Sequence, residues 1–305
     1  MWFLLLTVLS NPRLFGFVDA LYWIEQTPTA TRGGLDAFQV SLFSQGELSE
    51  RLRYAMFVEL AHGTDTEAGL GYLNLEYAFG EVQLRPGLRL RFGKQMLPWG
   101  YYNEIHDATH AFLPLFLPTY YEPPDTLPQA RLLPVYDAAV QLRGSWARGE
   151  WLLFLDNGPG ETHPYREDQN LRPGVGGRIT WGGAGTDVRA TLYGGIPPGD
   201  SLWETAGILT LHLERNPWSL ISELGERRRG SQSLLRVGLG ELYYTVGAWT
   251  PFLRAEILEQ AGHREPWVGA GLNWSATEAL VVKLELDHWA STPHTRAGIL
   301  MSVAF

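Results

Sequence analysis

Along most of the chain, apolar residues alternate with polar or small ones over stretches of about ten residues, and helical periodicity is almost absent. In the last stretch Ala297, Ile299, Met301, Val303 and Phe305 fall on one face, with Arg296, Gly298 and Ser302 on the other. Leu280, Val282, Leu284 and Leu286 alternate with Lys283, Glu285 and Asp287. Leu52, Tyr54, Met56, Val58 and Leu60 alternate with Arg51, Arg53 and Glu59, and Leu84, Leu88, Leu90 and Phe92 with Arg85, Arg89 and Arg91. This pattern predicts about sixteen strands between residues 14 and 305.

The predicted connections alternate in length. Those after even-numbered strands are short, as at Gly46-Glu47-Leu48-Ser49, Ala147-Arg148-Gly149, Gly183-Ala184-Gly185 and Ser275-Ala276-Thr277. Those after odd-numbered strands are longer and richer in Pro, His and charge. Short turns at one rim and long loops at the other suit an outer-membrane barrel, whereas Greek-key links in a sandwich have no reason to alternate.

The polar faces carry many arginines and carboxylates, too many for a solvated sheet that also packs a second sheet. A barrel in lipid inverts the arrangement, with the apolar side toward hydrocarbon and the polar side toward water. Every backbone N–H and C=O must then be paired between strands, so the sheet closes. The expected fold is all-β, a closed antiparallel transmembrane barrel of the bacterial outer membrane. An even strand number puts both chain ends at the short-turn rim.

Aromatic residues gather where predicted strands end: Tyr22, Trp23, Trp146, Trp151, Trp181, Trp203, Trp218, Trp249, Trp267, Trp274 and Trp289. Amphipathic rings suit the headgroup layers, so these predict two aromatic girdles. Residues 1–13 open with an apolar run, Met1 to Leu9, too short for a membrane helix. They read as a signal peptide or N-terminal extension, and residues 14–305 as the barrel. The chain has no cysteine, which excludes disulfides, thiolate metal sites and thiol nucleophiles. The net charge of −9 is spread without a basic block, so nothing points to nucleic acid.

Several segments resemble those of a known family. Arg91-Phe92-Gly93-Lys94-Gln95-Met96-Leu97-Pro98-Trp99-Gly100-Tyr101-Tyr102-Asn103-Glu104 resembles the "R-x-G-K…P-[FW]-G…N-E" segment of porins related to the phosphate-selective porin O and P family. Leu155-Asp156-Asn157-Gly158 is similar to a strand of that family ending in N-G. Gly176-Gly177-Arg178-Ile179 is similar to the strand that follows it, and Trp249-Thr250-Pro251-Phe252-Leu253-Arg254-Ala255-Glu256 to a late "P-[FY]-x-R" strand. Terminal Phe305 matches the aromatic residue read by the barrel-assembly machinery. The resemblance implies a sixteen-stranded porin, often a homotrimer, that gives passive diffusion of small hydrophilic solutes or ions. Phosphate selectivity is not carried over, because family members with it line the channel with rows of Arg and Lys, whereas the only lysines here are Lys94 and Lys283 and the predicted lumen faces mix Arg with Asp and Glu.

Residues 96–134 form the longest connection, rich in proline (Pro98, Pro114, Pro118, Pro123, Pro124, Pro128) and in aromatics (Phe112, Phe116, Tyr120, Tyr121). Long loops are usually functional, and this composition can pack, so the loop is expected to fold inward and constrict the channel. An external cap or trimer contact and a plug are the other readings, the plug making the barrel a non-conducting structural or assembly element. The expected pore-lining residues are Arg51, Arg53, Glu59, Glu76, Arg85, Arg89, Arg91, Lys94, Glu104, His106, Asp107, Arg143, Arg178, Arg254, Glu256, Lys283, Glu285, Asp287 and Arg296. Fixed charges of both signs across a constriction create a transverse field with weak ion selectivity. No cofactor is expected. His106-Asp107-Ala108-Thr109-His110 has metal-like spacing but no evident third ligand, and reads as an ordinary turn. A barrel hydrolase would need a Ser beside a His; Ser222 and His212 fall on neighbouring predicted strands, where chance pairing is common. The Arg227-Arg228-Arg229 run reads as an outward loop facing solvent or lipopolysaccharide phosphate.

Overall fold

The computed structural model describes residues 10–61, 72–105, 114–121, 130–158, 172–183, 185–197, 200–291 and 294–305. Alternating residues of high β propensity form sixteen strands, each antiparallel to its sequence neighbours. The first half comprises β1 (Ser10–Gln26), β2 (Thr31–Glu47), β3 (Leu52–Ala61), β4 (Tyr72–Arg85), β5 (Leu88–Met96), β6 (Tyr136–Trp146), β7 (Gly149–Asp156) and β8 (Gly174–Gly183). The second comprises β9 (Thr186–Gly195), β10 (Glu204–Arg215), β11 (Trp218–Arg229), β12 (Gln232–Tyr244), β13 (Trp249–Gln260), β14 (His263–Ser275), β15 (Leu280–Trp289) and β16 (His294–Ala304). β1 pairs with β16 from Phe17↔Ala304 to Gln26↔Thr295, so the barrel closes without an edge. Its seam ends in two backbone bonds, Gly16 N–H to Phe305 O at 3.0 Å and Phe305 N–H to Gly16 O at 2.9 Å.

The alternation sorts residues as lipid and lumen require. On β16 Ile299, Met301 and Val303 are exposed, whereas Leu300 and Ser302 are buried. On β15 Leu284 and Leu286 face out, and Lys283, Glu285 and Asp287 are buried inside. The closed wall and its apolar outer face place the chain in the bacterial outer membrane. β4 departs from simple alternation. Phe57 pairs with Tyr77 but Val58 with Leu75, leaving Glu76 as the extra residue of a bulge. The bulge swaps faces, so Leu73 and Leu75 point out on one side of it and Glu81 is buried inside on the other.

The rims differ, though less regularly than the sequence suggests. The connections after even-numbered strands are short, as at residues 86–87, 147–148 and 216–217. Those after odd-numbered strands include 62–71, 97–135 and 157–173, yet 27–30, 230–231 and 261–262 are tight turns. The Arg227-Arg228-Arg229 run is therefore not in a loop: it ends β11, paired with Glu204 to Ala206 of β10. Arg229 bonds Glu204 at 3.0 Å, and Gly230, at φ +55°, supplies the tight reversal that lets the ladder run on. β1 begins at Ser10, inside the stretch expected to precede the barrel, while residues 1–9 lie outside the described residues.

At the short-turn rim Trp146, Trp181, Trp218, Tyr244, Trp249 and Trp274 are exposed on the outer face, with Trp249 stacked on Trp274 at 5.4 Å. Trp203 stands exposed near the other rim. Trp267 and Trp289 do not belong to a girdle. They are buried inside, because their parity on β14 and β15 is that of the lumen.

Candidate functional site: the inward loop and its clamps

Residues 97–135 leave the wall after β5 and return to it at β6. Leu97 N–H bonds Val135 O at 2.9 Å, closing the neck. The Asn103 side-chain amide donates to Leu97 O at 2.6 Å and Val135 O at 3.0 Å, and the Trp99 indole donates to Pro134 O at 2.8 Å. Above the neck the chain turns at Gly100, φ +60°. A Cβ there would lie 1.7 Å from the Tyr121 hydroxyl, so only glycine allows the approach. Tyr121 accepts from Tyr101 N–H at 2.9 Å and stacks on Trp99 at 4.3 Å, 6° from parallel.

The described residues of this loop, 97–105, 114–121 and 130–135, are inside the barrel. Leu97, Trp99, Tyr102, Tyr120, Tyr121, Leu132 and Leu133 form one buried cluster with Ile208, Ile221, Leu235, Val237, Leu239, Tyr243, Phe252 and Leu258 of the wall. On this side the inner wall is apolar, against the usual polarity of a lumen, because it faces the loop rather than water. Burial of each large side chain contributes roughly 1.5–3 kcal/mol.

Four carboxylates of the wall bond the loop. Glu223 accepts from Tyr101 N–H (2.6 Å), the Tyr120 hydroxyl (2.5 Å), the Tyr121 hydroxyl (2.8 Å) and Thr210 of the wall (2.7 Å). Glu256 accepts from Thr119 N–H at 2.9 Å, and Glu285 from Leu115 and Phe116 N–H at 2.5 and 3.0 Å. Glu241 accepts from the Tyr102 and Tyr243 hydroxyls and from Arg254 at 2.6 Å. Arg254, wholly buried, also donates to Phe116 O at 2.8 Å and reaches Glu285 at 3.2 Å, and Lys283 donates to Pro114 O at 3.4 Å. Burial among these carboxylates raises the Tyr102, Tyr120 and Tyr121 phenols well above their ordinary range.

Glu104 works in the opposite direction, from the loop to the wall. Burial alone would raise its carboxyl. Arg178, to which it is hydrogen-bonded, and Arg143 outweigh that and hold it at about 2. Arg178 bonds Glu150 at 2.7 Å as well. Beyond this pair the wall carries Arg91 and Arg89 on Glu81, at 3.0 and 3.2 Å, and Arg53 on Glu47 at 3.0 Å. The Arg53 and Arg89 side chains stay 56% and 50% exposed, so the lumen is open at their level, beside the short turns. A ribbon of rings, Phe15, Phe43, Phe57 and Tyr77, runs across β1 to β4 on the same inner face.

Of the residues expected to line a pore, Arg53, Glu59, Arg89, Arg91, Arg143, Arg178, Arg254, Glu256, Lys283, Glu285, Asp287 and Arg296 stand on inner faces, joined by Glu104 from the loop. Arg254, Glu256, Lys283, Glu285 and Asp287 are enclosed between wall and loop rather than open to a passage. Arg51 and Arg85 sit exposed at short turns, and Glu76 at the bulge. Lys94 is a correction. It shares the outer parity of Phe92 and bonds Leu75 O at 2.5 Å above the Tyr136 ring, so its charge is outside the lumen. His106 and Asp107 lie outside the described residues. Glu81, Asn103, Glu150, Glu223 and Glu241 were not singled out by sequence reasoning. A carboxylate on the polar face of a strand is the signal that could have marked four of them.

The segments behind the family resemblance converge here. Glu104 of the first meets Arg178 of the third, and Arg254 and Glu256 of the fourth hold Phe116 and Thr119. No family model and no curated protein matches the chain, so that resemblance rests on these motifs alone. Solved structures match throughout. OmpF of Salmonella typhi, in complex with daunomycin, superposes with a TM-score of 0.72 at 11% identity over 98% of this chain and 99% of that one. OprB of Pseudomonas putida, at high pH, gives 0.69 at 9% identity over 99% and 96%. In-vitro folded OmpT of Vibrio cholerae, in a trimer form, gives 0.64 at 11% identity over 97% and 99%. The likeness is one of fold, and that fold is a porin-type barrel.

Proposed function

We propose that this barrel is a porin giving passive diffusion of small hydrophilic solutes or ions, narrowed by residues 97–135. The observation that carries this reading is the lopsided interior. The loop is bonded to the wall through Glu223, Glu256 and Glu285. The side bearing Arg53 and Arg89 keeps half of those side chains exposed. A water-filled strip between the loop and β3–β6 would be bordered by arginines on one side and by Glu81 and Glu104 near them. Mixed fixed charge of this kind gives a transverse field and weak ion preference. Passage rather than catalysis is the principal role in this reading.

The second reading, a barrel plugged by its loop, is supported by the complete burial of Arg254, Lys283 and Asp287. Planar-bilayer recording separates the two. Steps of conductance that grow when residues 105–130 are deleted support the constricted channel, whereas a silent wild-type barrel sinks it. Assembly as a homotrimer, contact with lipopolysaccharide at the outer rim, and insertion by the barrel-assembly machinery through Phe305 complete the proposal. The first is supported by the trimer form of the similar OmpT barrel.

A further inference from the structure

Three side chains near the short-turn rim of the lumen stand in the order serine, histidine, aspartate. Asp187 on β9 is the register partner of His212 on β10, and β11 places Ser219 diagonally across from His212, whose own partner is Ile221. All three share the inner face, with the parity of buried Thr191, Thr210 and Ile221. Ser219 Oγ lies 3.4 Å from His212 Nε2, and His212 Nδ1 lies 3.2 Å from Asp187 Oδ2. The other Asp187 oxygen accepts from Arg189 Nε at 2.7 Å, which fixes the carboxylate. The Tyr101 ring of the loop packs on the imidazole at 4.9 Å and under the Arg189 guanidinium at 5.2 Å. The side chains of His212 and Asp187 are 16% and 22% exposed, enclosed but reachable from the lumen. Ser222 is a different case. It pairs with Leu211 and points to the outer face, so it cannot serve His212.

We propose that Ser219 is an acylatable nucleophile, with His212 as its general base and Asp187 orienting the ring, and that it accepts small carboxylic esters entering from the short-turn rim. In this arrangement His212 carries its proton on Nδ1, donated to Asp187, which leaves Nε2 free to accept the Ser219 hydroxyl proton. As Oγ bonds the acyl carbon, the proton passes to Nε2. The ester C–O bond then breaks, and the departing alcohol takes that proton. Water repeats the step, losing one proton to His212 as it releases the acid, and Ser219 regains its hydrogen. The strand N–H groups beside Ser219 are used by the β10–β11–β12 ladders, so no backbone oxyanion hole is present. Acylation is accordingly the step to measure.

The full-length barrel, folded in detergent, is incubated with a fluorophosphonate, which forms a phosphorus–oxygen bond to serine as fluoride leaves. The modified residue is mapped by mass spectrometry. The expected adduct is on Ser219, slowed at least about tenfold in His212→Gln and in Asp187→Asn, and unchanged in Ser222→Ala. Unboiled gel migration verifies that each variant is folded, and two separate variants guard against loss of one. A folded wild-type barrel that takes no label, an adduct elsewhere than Ser219, or equal labelling in both folded variants overturns the proposal. None of these readouts depends on conductance.

Discussion

Glu104 of the loop and Arg178 of β8, 74 residues apart in sequence, are hydrogen-bonded to each other, and Arg178 also holds Glu150. The pair fixes the loop to β8 and carries a defined pH dependence. The Glu104 carboxyl is depressed from 4.5 to about 2. A depressed carboxyl contributes stability that is complete above its unfolded value and is lost as pH falls through the folded one. Tryptophan emission, with Trp99 in the docked loop, is therefore expected to stay constant from neutrality to about pH 4.5 and to change as pH falls from there toward about 2. Glu104→Gln should remove that part of the acid change. An identical acid limb in the variant would contradict the assignment.

The loop tyrosines give a test in the alkaline direction. Tyr102, Tyr120 and Tyr121 are raised by burial first and by Glu241 or Glu223 second. Phenolate absorbance recorded to about pH 11 should show these three silent until the barrel unfolds. Tyr121→Phe is then expected to leave the native titration unaltered.

Glu223 collects four donors; its loss takes the acceptor from the Tyr120, Tyr121 and Thr210 hydroxyls, while Tyr101 N–H keeps only the Tyr121 oxygen. Each buried polar group left unpaired costs about 1–3 kcal/mol. Glu223→Ala should free the loop, seen as flickering single-channel current and faster proteolysis between residues 97 and 135. Glu223→Gln keeps an acceptor oxygen and should show a smaller effect. Equal behaviour of Ala and Gln variants would mean that apolar packing alone holds the loop.

Gly100 and Gly34 form a matched pair. An added Cβ at Gly100 meets the Tyr121 hydroxyl at 1.7 Å and sits on a left-handed backbone, whereas at Gly34 it meets nothing within 4 Å. Gly100→Ala should lower the temperature at which the gel shift is lost and quench the Trp99–Tyr121 stack in near-ultraviolet circular dichroism. Gly34→Ala should do neither.

Much of the wall was legible in the sequence because each membrane strand has two solvents, and the period of two records both. Leu284 and Leu286 against Glu285 and Asp287 needed no more than that rule. It failed where one residue was added: the Glu76 bulge exchanges the faces of β4, and no local signal announces it. It also misleads for Lys94, whose charge reads as a lumen position although a place near the rim accommodates its ammonium on a carbonyl and a ring. The loop's composition announced that it packs. Its partners could not be read, because Glu223 and Glu285 are separated from their donors by more than a hundred residues of chain. The motif bearing Asn103 and Glu104 was visible as a pattern, but its work, tying the neck and reaching Arg178, is a property of the closed barrel.

The seam between β1 and β16 bears on how copies of the barrel can meet. Phe305 bonds Gly16 through both its N–H and its carbonyl, and a side chain at Gly16 would strike the Phe305 ring at 2.7 Å and Ser41 O at 2.2 Å. These two bonds prolong a ladder that already runs from Phe17↔Ala304 to Gln26↔Thr295. The finished cylinder therefore offers no free strand to a neighbouring copy, and any assembly of copies must be made through side-chain faces rather than by sharing a sheet.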